Sequence, residues 1–287
     1  MFDKQRKGLV AAGFALLLAC PASGQDTENY ILVPGVNEIV IEQEDGLERE
    51  VLIRLPDEIP EGGAPVVFGF HGAGGSNMAW HRRLARFVNQ RGIISVSPQG
   101  ANAIRGQRVA LWNFKEGSRS RADDIGLVES IIEILDSQNL VNMNRVFATG
   151  DSSGGLMSYR LAVDTDLFSA IAPTKSGMAI NAHEPTQETA KISLMQVIGN
   201  EDQSYNGLIN GADEMYSMQE RVAIWEEFNA CSPGSVLQDD ADSVTVQYDC
   251  AEDKEMVMLV LKGIGHDLGR EWTQRTDALI IEFFLRH

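Results

Sequence analysis

The sequence predicts an α/β fold, a mostly parallel twisted sheet with helices on both faces. Three observations predict it. Short, continuously apolar runs, PVVFGF at 65–70, GIISVS at 92–97 and SLMQVI at 193–198, have the length and content of strands covered on both faces. Stretches with apolar residues at helical spacing alternate with these runs, the pattern of strand–helix–strand units. Between one such run, VFAT at 146–149, and one such stretch, LMSYRLAVD at 156–164, stands Gly150-Asp151-Ser152-Ser153-Gly154, a G-x-S-x-G turn.

The elements follow in order. Residues 1–24 read as a secretory signal peptide: Lys4, Arg6 and Lys7 precede an apolar run, 8–19, that is too short to span a bilayer. Cleavage at Ala22-Ser23-Gly24 would remove Cys20. The alternative, a lipobox at Leu17-Leu18-Ala19-Cys20, would leave Cys20 as a lipidated N-terminus. Residues 25–287 are expected to form a single catalytic domain, with no Ser/Thr/Pro-rich linker and no repeat. The runs NEIVIE and EVLIRL, within 30–42 and 50–55, alternate in polarity and predict an opening antiparallel pair. A helix over 77–90 and the strand at 92–97 follow PVVFGF. The segment 98–120 has no clear period and holds Trp112, Asn113 and Phe114; a loop of that length is more often functional than idle. Ile125, Val128, Ile131, Ile132 and Leu135 mark one face of a helix over 122–137. After the G-x-S-x-G turn and its helix come strands at 168–172 and 193–198, a helix over 211–229, strands at 244–248 and 256–261, and a closing helix over 272–285.

Composition narrows the function. The chain has 287 residues, 44% hydrophobic and 23% charged, ordinary globular values. A formal net charge of −17 argues against nucleic acid, and against a membrane unless Cys20 is lipidated. Cys231 and Cys250 remain as one pair in a chain bound for an oxidising compartment, so a disulfide between them is expected. Neither has a second Cys or His at ligand spacing, and neither a metal nor a cofactor is expected.

The chemistry centres on Ser152. A serine hydroxyl is a poor nucleophile at neutral pH and needs a base, which a carboxylate must orient. A strand–turn–helix context around G-x-S-x-G is that of a nucleophile elbow in the α/β-hydrolase fold, where the order is Ser, acid, His. Of five histidines, His71 and His81 precede the serine, His183 lies ahead of the strand expected to carry the acid, and His287 is the last residue and expected to fray. His266, after the 256–261 strand, is the candidate base. Asp202, after SLMQVI, is the candidate acid, with Glu201 as fallback. The backbone amides of Ser153, at the start of the elbow helix, and Ala73, in His71-Gly72-Ala73-Gly74-Gly75, are the candidate oxyanion donors, with Gly72 an alternative to Ala73. Trp112, Asn113 and Tyr205 are candidate substrate-binding residues; packing of Trp112 into the core is the competing reading.

The ordered series HGAGGS, Trp112-Asn113, ADDIGLVESIIEIL, NRVFATGDSSGGLMSYRLA, GNEDQSYNG, the cysteine pair and GIGHD resembles the polyhydroxybutyrate depolymerase and feruloyl esterase family, secreted α/β-hydrolases grouped with carbohydrate esterase family one. The resemblance runs from about residue 65 onward. It implies Ser152 as nucleophile, Asp202 as acid and His266 as base, and it supports the Cys231–Cys250 pairing. The sequence departs from the family pattern at Ser153, Leu111, Asp267-Leu268 and Asp202-Gln203-Ser204-Tyr205, positions on the acyl and alcohol sides. The expected activity is hydrolysis of soluble short-chain, hydroxyalkanoate or hydroxycinnamoyl esters, with little action on a crystalline polymer. Three other readings compete: a hormone-sensitive-lipase-like esterase, a prolyl-oligopeptidase-type peptidase, and a catalytically dead surface-binding protein on the same scaffold.

Overall fold

The computed structural model describes residues 30–104, 107–208 and 214–287; the leader at 1–24 and Cys20 lie outside them. In chain order the elements are β1 (Gly35–Glu42), β2 (Glu48–Leu55), β3 (Ala64–Phe70), α1 (Asn77–Arg91), β4 (Ile94–Pro98), β5 (Ala101–Ile104), β6 (Gln107–Leu111), α2 (Asp124–Asp136), β7 (Val141–Asp151) and α3 (Ser153–Asp164). There follow β8 (Ala170–Thr174), β9 (Met178–Ala179), β10 (Ser193–Gly199), β11 (Met215–Tyr216), α4 (Met218–Phe228), β12 (Ser235–Asp239), β13 (Ser243–Asp249), β14 (Glu255–Leu261) and α5 (Gly269–Leu285).

Among the described residues, ten strands form one sheet in the order β1-β2-β4-β3-β7-β8-β10-β14-β13-β12. The six from β4 to β14 run parallel. Antiparallel pairs close both edges, β1 and β2 on one side, β13 and β12 on the other. This is the α/β-hydrolase arrangement. The central strands β3, β4, β8 and β10 are buried at every position, because helices cover both faces. On one face α1 and α5 pack Trp80, Leu84, Ile280 and Phe284 against Phe147 and Val67. On the other, α2, α3 and α4 pack Ile131, Tyr159 and Trp225 against Phe68 and Ile171. A disulfide joins Cys231 to Cys250 and ties the end of α4 to the end of β13. No described helix is long and apolar enough to cross a membrane.

Several local expectations need correction. The 98–120 segment is not structureless: β5 and β6 pair antiparallel within it. The helix expected over 211–229 begins at Met218, because Ser217 and Glu220 form a capping box that fixes its N-terminus; residues 209–213 lie outside the described residues. The closing helix starts earlier, at Gly269. His287 does not fray: its ring packs on Phe283, and its Nδ1 lies 3.3 Å from Ser193 Oγ.

His183 is a core residue. Its Nδ1 accepts the Ala179 amide at 3.1 Å, its Nε2–H donates to the Phe114 carbonyl at 2.7 Å, and its ring stacks on Tyr159. Burial pushes its pKa down to about 4, against the pull of the Phe114 bond. The folded value lies below the ordinary 6.5, so between these limits the unfolded chain binds more protons. The stabilisation is therefore complete above 6.5 and lost as pH falls toward 4, at most about 3 kcal/mol. Urea midpoints measured from pH 7 to 4.5 should fall less steeply in His183→Gln than in wild type. Parallel pH dependences, or a wild-type His183 ring titrating near 6.5 by NMR, would contradict this.

Candidate active site

The site lies beyond the C-terminal ends of the parallel strands, the usual place for chemistry in an open α/β sheet. At the end of β7 the chain turns sharply into α3. Ser152 stands at the corner with φ 54° and ψ −116°, a left-handed conformation rare for a non-glycine residue. Its backbone is held from both sides: the amide donates to Thr174 O at 3.0 Å, and its carbonyl accepts the Gly155 and Leu156 amides. The neighbouring glycines are sterically required. A Cβ on Gly150 would lie 2.4 Å from the Gly154 carbonyl carbon, and one on Gly154 would lie 2.1 Å from Phe70 O.

The acid and histidine loops are joined backbone to backbone. β10 and β14 are parallel neighbours with Gly199 opposite Leu261. Past that point the Asn200 amide donates to Leu261 O, the Glu201 amide to Ile264 O, and the Gly263 amide to Asn200 Oδ1. A Cβ on Gly199 would come within 2.0 Å of Ile264 O, so only glycine permits this approach. Asp202 and His266 meet as a result, with Asp202 Oδ2 2.7 Å from His266 Nδ1. Asp202 Oδ1 accepts the Ser204 amide at 2.9 Å and its hydroxyl at 2.8 Å. Burial alone would raise the Asp202 carboxyl; the His266 and Ser204 hydrogen bonds outweigh it and hold the group below the usual carboxylate range. Glu201, the fallback, lies on the pocket rim and is not the partner of His266.

Ser152, Asp202 and His266 line one pocket of about 340 Å³, with Leu156, Lys175 and Leu208 among its other walls. Asp202 is buried, whereas the His266 side chain is 58% exposed. Among the described residues the Ser152 hydroxyl makes no hydrogen bond.

Ser153 is the first residue of α3, where helical amides lack internal partners. The loop 71–75 lies against the elbow: a Cβ on Gly72 would sit 3.5 Å from Ser152 Cβ. Ala73, the next residue, is exposed. His71 holds this loop rather than reaching Ser152. Its Nδ1–H donates to Gly72 O at 2.7 Å, and its Nε2 accepts the Gly100 amide at 2.9 Å. Burial lowers its pKa and keeps the ring neutral, as that pattern of one donor and one acceptor requires.

The candidate substrate-binding residues are elsewhere. Trp112 is 1% exposed, packs edge-on against Phe70, and donates its indole N–H to His71 O at 2.7 Å. It braces the 71–75 loop and does not line the pocket. Asn113 donates its amide to buried Asp124 and its Nδ2 to Ala122 O. Tyr205 packs against the core and is also absent from the pocket wall.

Three supporting groups were not legible in the sequence. Gln99 Nε2 reaches His71 Nε2 at 3.1 Å and Gly75 O at 3.4 Å, while its Oε1 accepts the Asn77 amide. Its own carbonyl accepts two bonds from Arg49, which is ion-paired with Asp124 at 2.6 Å, both side chains being buried. Arg221, 2% exposed, donates to the Ser176 and Ser204 carbonyls and so underlies both the pocket floor and the acid loop. The available signal was an arginine on the face of α4 that Met218 and Trp225 bury.

The elbow sterics give a paired test. Gly154→Ala should destabilise the fold by more than about 4 kcal/mol, since its Cβ meets backbone that cannot move independently. Gly265→Ala, whose Cβ finds only Glu201 O at 4.0 Å, should cost less than about 1 kcal/mol. Equal unfolding midpoints for the two variants would contradict the geometry.

Comparison with known proteins follows the same direction. No family model matches. In sequence the chain is 26% identical over 257 residues to a probable feruloyl esterase C of Aspergillus niger, covering 83% of this chain and 84% of that protein. In structure it is similar to an acetyl xylan esterase from Aspergillus awamori, with a TM-score of 0.60, 12% identity and coverage of 87% and 98%. It is also similar to a poly(3-hydroxybutyrate) depolymerase from Bordetella parapertussis, with a TM-score of 0.59, 14% identity and coverage of 88% and 91%. These likenesses support the resemblance to the polyhydroxybutyrate depolymerase and feruloyl esterase family, and the chain is a carboxylic-ester hydrolase with an α/β-hydrolase fold.

Proposed function

We propose that the pocket is the active site of a serine esterase working through an acyl-enzyme. The observation that carries the reading is the buried Asp202 bonded to a His266 that shares a pocket with the elbow serine. Ser152 Oγ attacks the ester carbonyl while His266 Nε2 takes its proton. Asp202, bonded to Nδ1, fixes the tautomer that leaves Nε2 free to accept, and steadies the imidazolium that forms. The carbonyl oxygen becomes an oxyanion and receives the Ser153 and Ala73 amides, dipoles already oriented by the α3 N-terminus and the braced 71–75 loop. His266 returns the proton to the leaving alcohol as the C–O bond breaks, and water repeats the sequence to release the acid.

The substrates proposed are soluble short-chain, hydroxyalkanoate or hydroxycinnamoyl esters. A pocket of about 340 Å³ with Leu156 and Leu208 on its walls suits one modest acyl group. We place the enzyme outside the cytoplasm. The leader at 1–24 and the Cys231–Cys250 disulfide support export, and 25–287 would be the exported catalytic domain.

The test is a panel of acetyl to octanoyl and feruloyl esters with 3-hydroxybutyrate oligomers, run on wild type and Ser152→Ala. Wild type should cleave at least one class, and Ser152→Ala should lose on the order of 10⁴-fold or more in kcat. Undiminished turnover by the variant would refute the assignment.

A further inference from the structure

Two arginines are buried among the described residues, Arg49 and Arg221, and they differ in one respect. Arg49 is paired with Asp124 at 2.6 Å. Arg221 has only uncharged hydrogen-bond partners among the described residues. Its Nη1 donates to Ser176 O and lies 3.5 Å from Gln196 Oε1, and its Nη2 donates to Ser204 O at 3.2 Å. Its Nε–H is buried without a partner among the described residues. A guanidinium withdrawn from water with no carboxylate in ion-pair range is costly, and a neutral side chain of similar length would avoid the cost. The charge therefore calls for a reason beyond packing.

Its place in the fold supplies one. Ser176 and Ser204, whose carbonyls the guanidinium bridges, line the pocket with Ser152 and His266. Ser204 also holds the acid: its amide and hydroxyl both donate to Asp202 Oδ1, while Asp202 Oδ2 meets His266 Nδ1. Arg221 thus stands one hydrogen-bonded residue behind the Asp202–His266 pair. The titratable groups that act on it are Tyr159 from α3 and Asp202 and Tyr205 from the segment after β10, and Asp202 is the one carboxylate among them. The charged groups that share the pocket with His266 are Lys175, Glu201 and Asp202, and Lys175 is taken up by Asp151 at 3.0 Å. A guanidinium keeps its charge throughout the range in which histidines titrate. A fixed positive charge behind the pair favours the carboxylate and works against a second positive charge on the imidazole.

We propose that Arg221 is a positioning residue for the acid and base: its fork fixes the acid segment to the pocket floor, and its buried charge keeps the imidazole neutral, and so able to act as base, to lower pH than the Asp202 contact alone would allow. It touches neither the substrate nor the reacting atoms and acts through Ser204 and Asp202. The proposal rests on the serine-esterase reading above.

The test is the pH dependence of kcat and KM on 4-nitrophenyl acetate for wild type and three variants; the acid limb of kcat/KM reports the base. Arg221→Met loses both fork and charge. Its acid limb should move up by about half a pH unit, and its plateau kcat should fall about tenfold with KM changed less than about threefold. Arg221→Lys keeps the charge and loses the fork, so kcat should fall by a similar factor while the limb stays at its wild-type place. Tyr159→Phe removes an uncharged bond from the same buried cluster, that from Tyr159 Oη to Gln196 Oε1. It should lower the unfolding midpoint and leave the limb in place. An unmoved limb in Arg221→Met, or an equal movement in Arg221→Lys or Tyr159→Phe, overturns the proposal. So does an undiminished kcat in Arg221→Lys, and that arm decides alone if the methionine variant does not fold. Full activity of His266→Ala would sink the serine-esterase reading, and this proposal with it.

Discussion

Backbone packed against backbone at the C-terminal edge of the sheet is the constraint on which the site depends. Gly154 lies so close to Phe70 O, and Gly199 so close to Ile264 O, that no side chain fits at either place. The first contact presses α3 onto the end of β3 and forces Ser152 into its left-handed corner. The second holds the loops after β10 and β14 together, so that Asp202 and His266 meet. Both are consequences of parallel strands ending side by side. The geometry is carried by the rigid part of the fold, and loops only complete it.

Buried polar groups then stiffen what the sheet positions. The Arg49–Asp124 pair is nearly sealed from water, and such pairs add little net stability while being costly to break. Its value here is positional. Through Gln99 it is linked to His71, and through Asp124 to the Asn113 amide, so the 71–75 loop and the segment after β6 share one network. Arg221 plays the same part on the other side, donating to the carbonyl of the residue whose amide and hydroxyl hold Asp202. A satisfied buried network of this kind fixes one arrangement and penalises others. The oxyanion loop and the acid loop are thus braced independently, each by its own arginine.

Much of this was legible in the sequence, and the parts that were not have a common reason. Apolar runs marked the central strands because they are buried on both faces. The elbow glycines, together with strand and helix on either side, singled out Ser152. Chain order then pointed to His266 and to Asp202, with Glu201 as fallback, and Ser152, Asp202 and His266 line one pocket. Residues whose roles depend on long-range contacts were illegible. For Trp112 the sequence left substrate binding and core packing both open; the ring is buried, with its indole N–H on the buried His71 O. Within the 98–120 segment, which has no clear period, β5 and β6 pair with each other apart from the main sheet among the described residues.

The central claim is that the strained serine at the β7–α3 corner is the nucleophile. The most direct measurement is to treat the protein with a fluorophosphonate, which phosphonylates an activated serine, and to locate the adduct by peptide mass spectrometry. The account predicts a single stoichiometric adduct on Ser152, formed far more slowly in His266→Ala. An adduct on another residue, or labelling of Ser152 at an unchanged rate without His266, would contradict it.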